Sequence, residues 1–132
     1  MAAVAAAVVV GVAGCGGGGG KPAPAATTSV GASAPVMSVE AAYAEYQGLM
    51  GPGCATVDEC QTLVTARLHA AHDLRDAMKA EDPSGYAVPI ADVNRADRVA
   101  RDYGTENLGA AGNMMAVLQP IQAAITWYAS NR

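Results

Sequence analysis

The stretch TVDECQTLVTARLHAAHDLRDAMKAE, residues 56–81, carries the strongest local structural signal in the chain. It opens with Thr56 and Glu59 at the spacing of a capping box, in which each side chain bonds the backbone N–H of the other residue. The helix should continue to about Glu81, because Pro83 disfavours helical backbone at the residue before it. The stretch therefore predicts one long helix.

One side of this helix is apolar. On a helical wheel the buried side carries Cys60, Leu63, Val64, Ala71, Leu74 and Met78. Arg67 falls on the same side. We expect its aliphatic stem to run along the core and its charge to reach the rim; the alternative is a charge held in a cleft.

Two cysteines flank the start of the helix. Cys60 lies in its first turn, and Cys54 lies in the turn before it, next to Gly51-Pro52-Gly53. Five residues between the thiols differ from the two-residue spacing of zinc and redox motifs, so we predict a disulfide; the alternative is a metal or redox site. The loop is short, and the chain-entropy effect of the bond is about 2.4 kcal/mol.

A shorter helix is predicted before this one. It begins after Ser38, whose hydroxyl suits an N-cap, and ends at Gly51-Pro52-Gly53. Its apolar face carries Val39, Tyr43, Tyr46 and Met50.

Two further helices are predicted after the long helix. Residues 82–90 contain Pro83, Gly85 and Pro89 and indicate a loop. A third helix should run from about Asp92 to Tyr103, with Asp97 and Arg101 paired on its outer face. Its buried stripe is Val93, Ala96, Ala100 and Tyr103.

The fourth helix should be capped by Asn113, after an undecided stretch over residues 105–113. Its apolar stripe is Met114, Leu118, Ile121, Ile125 and Tyr128. Pro120 lies inside the stripe and predicts a kink, or a break and restart near Gln119. The fold class is thus all-α: residues 36–132 should form a small bundle of three or four antiparallel helices with one disulfide.

Composition limits the function. The net charge is −4, and every charged residue lies at or beyond Lys21. A nucleic-acid binder would carry a basic face, so we predict no nucleic-acid partner. No glycine loop of the phosphate-binding kind follows a strand, and no cofactor is predicted.

The N-terminus has a different character. An apolar run from Ala2 to Val10 is too short to span a bilayer, and Val12-Ala13-Gly14-Cys15 follows it. This tetrapeptide resembles the lipobox of bacterial lipoproteins. The resemblance implies that residues 1–14 are a signal peptide and that Cys15 carries a diacylglycerol. It also implies that the protein is held on the extracytoplasmic face of the cell membrane.

Two observations bear on this resemblance. The first twenty residues contain no Lys or Arg, so either the initiator amine supplies the only positive charge or the true start lies upstream of Met1. The three cysteines form an odd count, which in an exported protein asks for an explanation. Lipidation of Cys15 would leave one pair.

Residues 15–35 are composed mainly of Gly, Ala, Pro, Ser and Thr, with one charge at Lys21. They show no periodicity and cannot bury a core, so we predict a flexible tether. About twenty such residues have a root-mean-square reach of roughly 25 Å.

One cluster resembles half of a metal site. His69, His72, Asp73 and Asp76 lie on one side of the long helix. That side is opposite the apolar one, so we expect a solvated polar face with a His72–Asp76 pair. The alternative is an envelope enzyme or metal-binding protein that uses His69, His72 and Asp76.

Two aromatic residues remain unassigned to any buried stripe. Trp127 lies off the stripe of its helix, and Tyr86 lies in the Gly/Pro-rich loop. They are candidates for contact with a protein partner, or they close the open end of a small bundle. The function expected from the sequence is therefore a non-enzymatic binding or accessory module of the cell envelope.

Overall fold

A computed structural model describes residues 37–132, which are folded into four α-helices with no strand among them. The helices are α1 (Val39–Gly48), α2 (Val57–Glu81), α3 (Ala87–Tyr103) and α4 (Ala111–Asn131). The predicted all-α bundle is confirmed. The predictions of a signal peptide, of lipidation at Cys15 and of a tether concern residues outside the described range.

Helix α2 has the predicted start and end. Glu59 N–H donates to Thr56 Oγ1 at 3.2 Å, and Thr56 N–H donates to Glu59 Oε2 at 3.1 Å, so the capping box is formed. The helix ends at Glu81. Asp82 then accepts hydrogen bonds from the backbone of Ser84 and Gly85, which turns the chain toward α3.

The core is built around α2, which packs against each of the other three helices, while α3 also packs against α4. Alanines on all four helices are buried in it, and their small side chains let the helix backbones approach closely. The larger side chains that are less than 2% exposed include Val39, Tyr46, Val64, Leu74, Met78, Val93, Val117 and Ile121.

Helix α3 begins at Ala87, so the predicted loop over residues 82–90 and the start near Asp92 were wrong. Pro89 lies in the first turn, where backbone N–H groups have no intrahelical partner and a missing N–H is tolerated. The ring of Pro89 is buried there. Tyr103, predicted to be buried, is 45% exposed.

Helix α4 runs without a break from Ala111 to Asn131, through Pro120, so the chain does not stop and restart near Gln119. The helix also lacks the predicted cap at Asn113. Its N-cap is Ala110, with no side-chain cap, and the Asn113 amide instead donates to the carbonyl of Asn107 at 2.8 Å. Within residues 37–132, no helix has both the length and the apolar character needed to cross a membrane.

Candidate functional site

The predicted disulfide is present. Cys54 and Cys60 are bonded to each other, with their Cα atoms 5.0 Å apart. Both thiols of the helical domain are therefore consumed, and neither is available as a nucleophile or as a metal ligand.

Gln61, next to the disulfide, connects α2 to the segment between α3 and α4. Its Nε2 donates to the carbonyl of Thr105, and its Oε1 accepts from the N–H of Gly109, both at 2.7 Å. Gly109 is buried, and a Cβ there would collide with the carbonyl oxygen of Val57. This close approach was not predicted, because a single Gln on a helix gives no signal of a distant partner.

The polar cluster on α2 is organised by a residue of α3. His72 Nε2 donates to Asp97 Oδ1, and Arg75 Nη1 donates to Asp97 Oδ2 at 2.5 Å. The side chain of Asp97 is only 15% exposed. The predicted Asp97–Arg101 pair on an outer face was therefore wrong, since Asp97 faces α2.

The predicted His72–Asp76 pair was also wrong. Asp76 Oδ1 instead accepts from Arg75 Nε at 3.0 Å and from Lys79 Nζ at 3.4 Å. Burial alone would raise the pKa of Asp76, but the hydrogen bonds and charges of Arg75 and Lys79 outweigh it and hold the pKa below its ordinary value. Asp76 thus forms ion pairs with Arg75 and Lys79.

His69 remains on the exposed face, with its ring 5.9 Å from that of His72. In the described part of the chain, no group of three or more His, Cys, Asp or Glu residues is placed to hold a metal ion. His69 has an exposed ring, His72 forms an interhelical hydrogen bond, and Asp76 forms an ion pair. The three side chains do not converge on one point.

The two unassigned aromatics meet each other. Tyr86 and Trp127 pack edge to face with ring centroids 6.3 Å apart, and Tyr86 lies 6.2 Å from Tyr128. The Tyr86 hydroxyl also donates to Glu81 at 3.0 Å, and this hydrogen bond is the main cause that raises the pKa of Tyr86. Both rings are half-buried. Their role in contacting a protein partner stays a prediction.

Arg67 is held by the turn between α1 and α2. Its Nε donates to the carbonyl of Leu49 at 3.0 Å, and its Nη2 donates to the carbonyls of Pro52 at 3.1 Å and Met50 at 3.4 Å. Residues 37–132 place no carboxylate within ion-pair distance of the guanidinium. The structure thus favours the alternative of a charge held in a cleft.

A cavity of about 310 Å³ adjoins this guanidinium, and we call it the Arg67 cavity. It lies between the end of α1, the middle of α2 and the first half of α4. It is lined by Tyr46, Met50, Arg67, Met115, Leu118, Gln119 and Gln122. Apolar side chains, two glutamines and one half-buried cation therefore line the same cavity.

No protein-family model matches the chain, and no curated protein or solved structure is similar to it. The features that sequence reasoning missed are Gln61, Asp97 and the Arg67 cavity. Each depends on two segments that are far apart in the sequence.

Proposed function

We propose that this chain is an exported, lipid-anchored protein of the bacterial cell envelope, and that its helical domain is a non-enzymatic binding or accessory module. The observation that carries the proposal is the pairing of Cys54 with Cys60. Such bonds persist in oxidising compartments outside the cytoplasm. The remaining cysteine of the three is Cys15, in the lipobox-like tetrapeptide.

The arrangement of polar groups supports binding rather than catalysis. Asp97 and Asp76 bond to cationic or imidazole side chains, and the thiols of the domain are bonded to each other. Tyr86 and Trp127 are the proposed contacts for a protein partner in the envelope. With residues 15–35 as a tether, the domain would reach such a partner while Cys15 stays in the membrane.

Lipidation is tested by replacing Cys15. In a bacterial host, the wild-type chain should sediment with membranes and resist a salt wash, because two or more acyl chains anchor stably. Cys15→Ala should be released or should stay unprocessed. Intact-mass measurement of the membrane fraction should show loss of residues 1–14 and addition of a diacylglycerol in the wild type but not in Cys15→Ala.

The Cys54→Ala/Cys60→Ala double variant is the matched control. It removes two thiols without touching Cys15, so its membrane retention should equal that of the wild type. Unchanged processing and retention of Cys15→Ala would rule out the lipid anchor.

The alternative of a metal-binding protein is tested separately. Zinc, nickel or manganese should raise the melting temperature only slightly, as exposed histidines do. A metal present at a hundredfold over its dissociation constant would add about 2.7 kcal/mol to the free energy of unfolding. A large increase that is abolished by His69→Ala/His72→Ala would establish the metal site and overturn the proposal of a module without one.

A further inference from the structure

The Arg67 cavity contains a positive charge that no carboxylate of the described residues neutralises. A guanidinium has five N–H donors. Nε and Nη2 supply the three hydrogen bonds to the α1–α2 turn. The Nη1 group donates to no acceptor among residues 37–132. Backbone carbonyls therefore fix the orientation of Arg67 and leave one amino group and the net charge available.

Tyr46 adds a second free polar group to the same cavity. The residue is only 1% exposed, yet its hydroxyl forms no hydrogen bond with any described residue. Tyr46 lines the cavity, so the cavity is the route by which solvent or a ligand can reach the hydroxyl.

The charge of Arg67 acts on this phenol. Burial raises the pKa of Tyr46, while the nearby guanidinium opposes that effect. Both side chains line the same cavity, so one acceptor group bound there can meet the hydroxyl and the cation. A buried polar group that has no hydrogen-bond partner in the protein gives specificity to an otherwise apolar pocket, because a ligand that bonds to it is preferred.

The apolar part of the lining is suited to an alkyl chain. It consists of Met50, Met115 and Leu118, with Gln119 and Gln122 beside them, and the two methionines are 39% and 61% exposed. Methionine side chains are flexible and adapt to apolar ligands of irregular shape. The cavity volume of about 310 Å³ lies at the small end of the range for ligand pockets, which suits a short chain.

We propose that the Arg67 cavity binds a small amphiphile, a short alkyl chain that ends in a carboxylate. The two Nη1 donors of Arg67 and the hydroxyl of Tyr46 bind the carboxylate, and Met50, Met115 and Leu118 cover the chain. Because Arg67 supplies one positive charge, the cavity favours a ligand with one negative charge. The inference deepens the proposed function by naming the ligand of the binding module, and it does not depend on the lipid anchor.

Octanoate, which has ten non-hydrogen atoms, is the probe. Calorimetric titration of the full-length oxidised chain should give one site with a dissociation constant on the order of 1 mM or below. With the methionine methyl groups labelled for NMR, the resonances of Met50 and Met115 should shift with the same constant. 1-Octanol, which lacks the charge, should bind about tenfold more weakly.

Tyr46→Phe is the decisive variant, because the hydroxyl bonds to no described residue and its loss should leave the melting temperature unchanged. Octanoate affinity should fall about tenfold, since the bond is made to a charged group. Tyr43→Phe, the same substitution about one turn earlier in α1, should keep the wild-type affinity, because Tyr43 packs against Tyr128 and does not line the cavity. Arg67→Met should bind octanoate and 1-octanol equally.

Equal affinities of wild type and Tyr46→Phe for octanoate would overturn the assignment, and so would equal affinities of the wild type for octanoate and 1-octanol. If Arg67→Met fails to fold because its hydrogen bonds to the α1–α2 turn are lost, the octanoate affinity of Tyr46→Phe still tests the assignment. The two proposals are tested independently. Absence of octanoate binding would leave the lipid anchor supported by membrane retention, and absence of lipidation at Cys15 would leave the octanoate site supported by the titration.

Discussion

The two ends of α2 are closed by different interactions. The first, which we call the disulfide end, is formed by covalent and hydrogen bonds of Cys54, Thr56, Glu59, Cys60 and Gln61. The second, which we call the aromatic end, is formed by the rings of Tyr43, Tyr86, Trp127 and Tyr128. Residues 55–59 are all exposed, so little apolar area is buried where α2 begins.

The difference shows how a small core is completed at its edges. Where apolar surface is scarce, order comes from covalent and hydrogen bonds. Most of them join residues that are near in sequence, and those of Gln61 reach the α3–α4 segment. Where large rings are available, burial of apolar area suffices, at about 25 cal/mol for each Å². The two ends should therefore respond differently to substitution, reduction and pH.

The largest effect should come from Gly109→Ala, at the contact between the disulfide end and the α3–α4 segment. The new Cβ would lie within 2.8 Å of the backbone nitrogen of Gln61 and closer still to the carbonyl oxygen of Val57. Backbone atoms cannot rotate away, so we expect a loss of about 3 kcal/mol in the free energy of unfolding, measured by urea denaturation.

Gly112→Ala is the control for this substitution. A Cβ at Gly112 would meet nothing within 4 Å, and alanine favours the helix. Its stability should equal or exceed that of the wild type. Equal stability of Gly109→Ala and Gly112→Ala would show that the segment around Gly109 is loosely packed.

At the aromatic end, Trp127→Ala should lower the free energy of unfolding by about 2 to 3 kcal/mol, less than for a fully buried ring, because Trp127 is half-buried. The melting temperature should fall by roughly 10 °C or more. Tyr103→Ala, which removes a ring that is 45% exposed, should have little effect. Because Trp127 is a proposed contact, Trp127→Ala should also reduce recovery of a membrane partner in pull-down. Unchanged stability together with that loss would show that the ring acts by contact alone.

Reduction of the disulfide should destabilise the domain by about 2 kcal/mol, in line with its short loop. Loss of helicity should begin near the start of α2, because the aromatic end does not depend on this bond. Hydrogen exchange should report faster opening of the amides near Cys60 and unchanged protection near Tyr128. Uniform loss of protection at both positions would mean that the two ends are not independent.

The smallest effect should be that of pH on Glu59. Hydrogen bonds from the backbone of Ala55 and Thr56 hold the pKa of this carboxyl below its ordinary value of 4.5. The stabilisation is therefore fully present above pH 4.5 and is lost as the pH falls through the lowered pKa. Glu59→Gln should flatten this part of the acid-denaturation curve.

Glu45→Gln, at an exposed position of α1, should leave the acid-denaturation curve as it is in the wild type. An identical acid response of the Glu59→Gln and wild-type proteins would show that the capping box does not contribute to the pH dependence of stability.

The bounds of α2, its capping box and the disulfide followed from the sequence alone. Each depends on residues within about one or two helical turns of one another, such as Thr56 with Glu59 and Cys54 with Cys60. Local backbone geometry brings these groups together whatever the rest of the chain does. The sequence was also sufficient for the all-α class, because apolar residues recur at helical spacing.

The tertiary structure alone decided the partners of polar residues. Asp97 faces α2 and bonds to His72, Gln61 bonds to Gly109, and Arg67 adjoins a cavity shared with α4. These contacts depend on the rotation and axial position of one helix against another, which are set by how buried side chains pack. A single sequence specifies the periodicity of each helix but not that packing, so the candidate binding site could be found only in the folded domain.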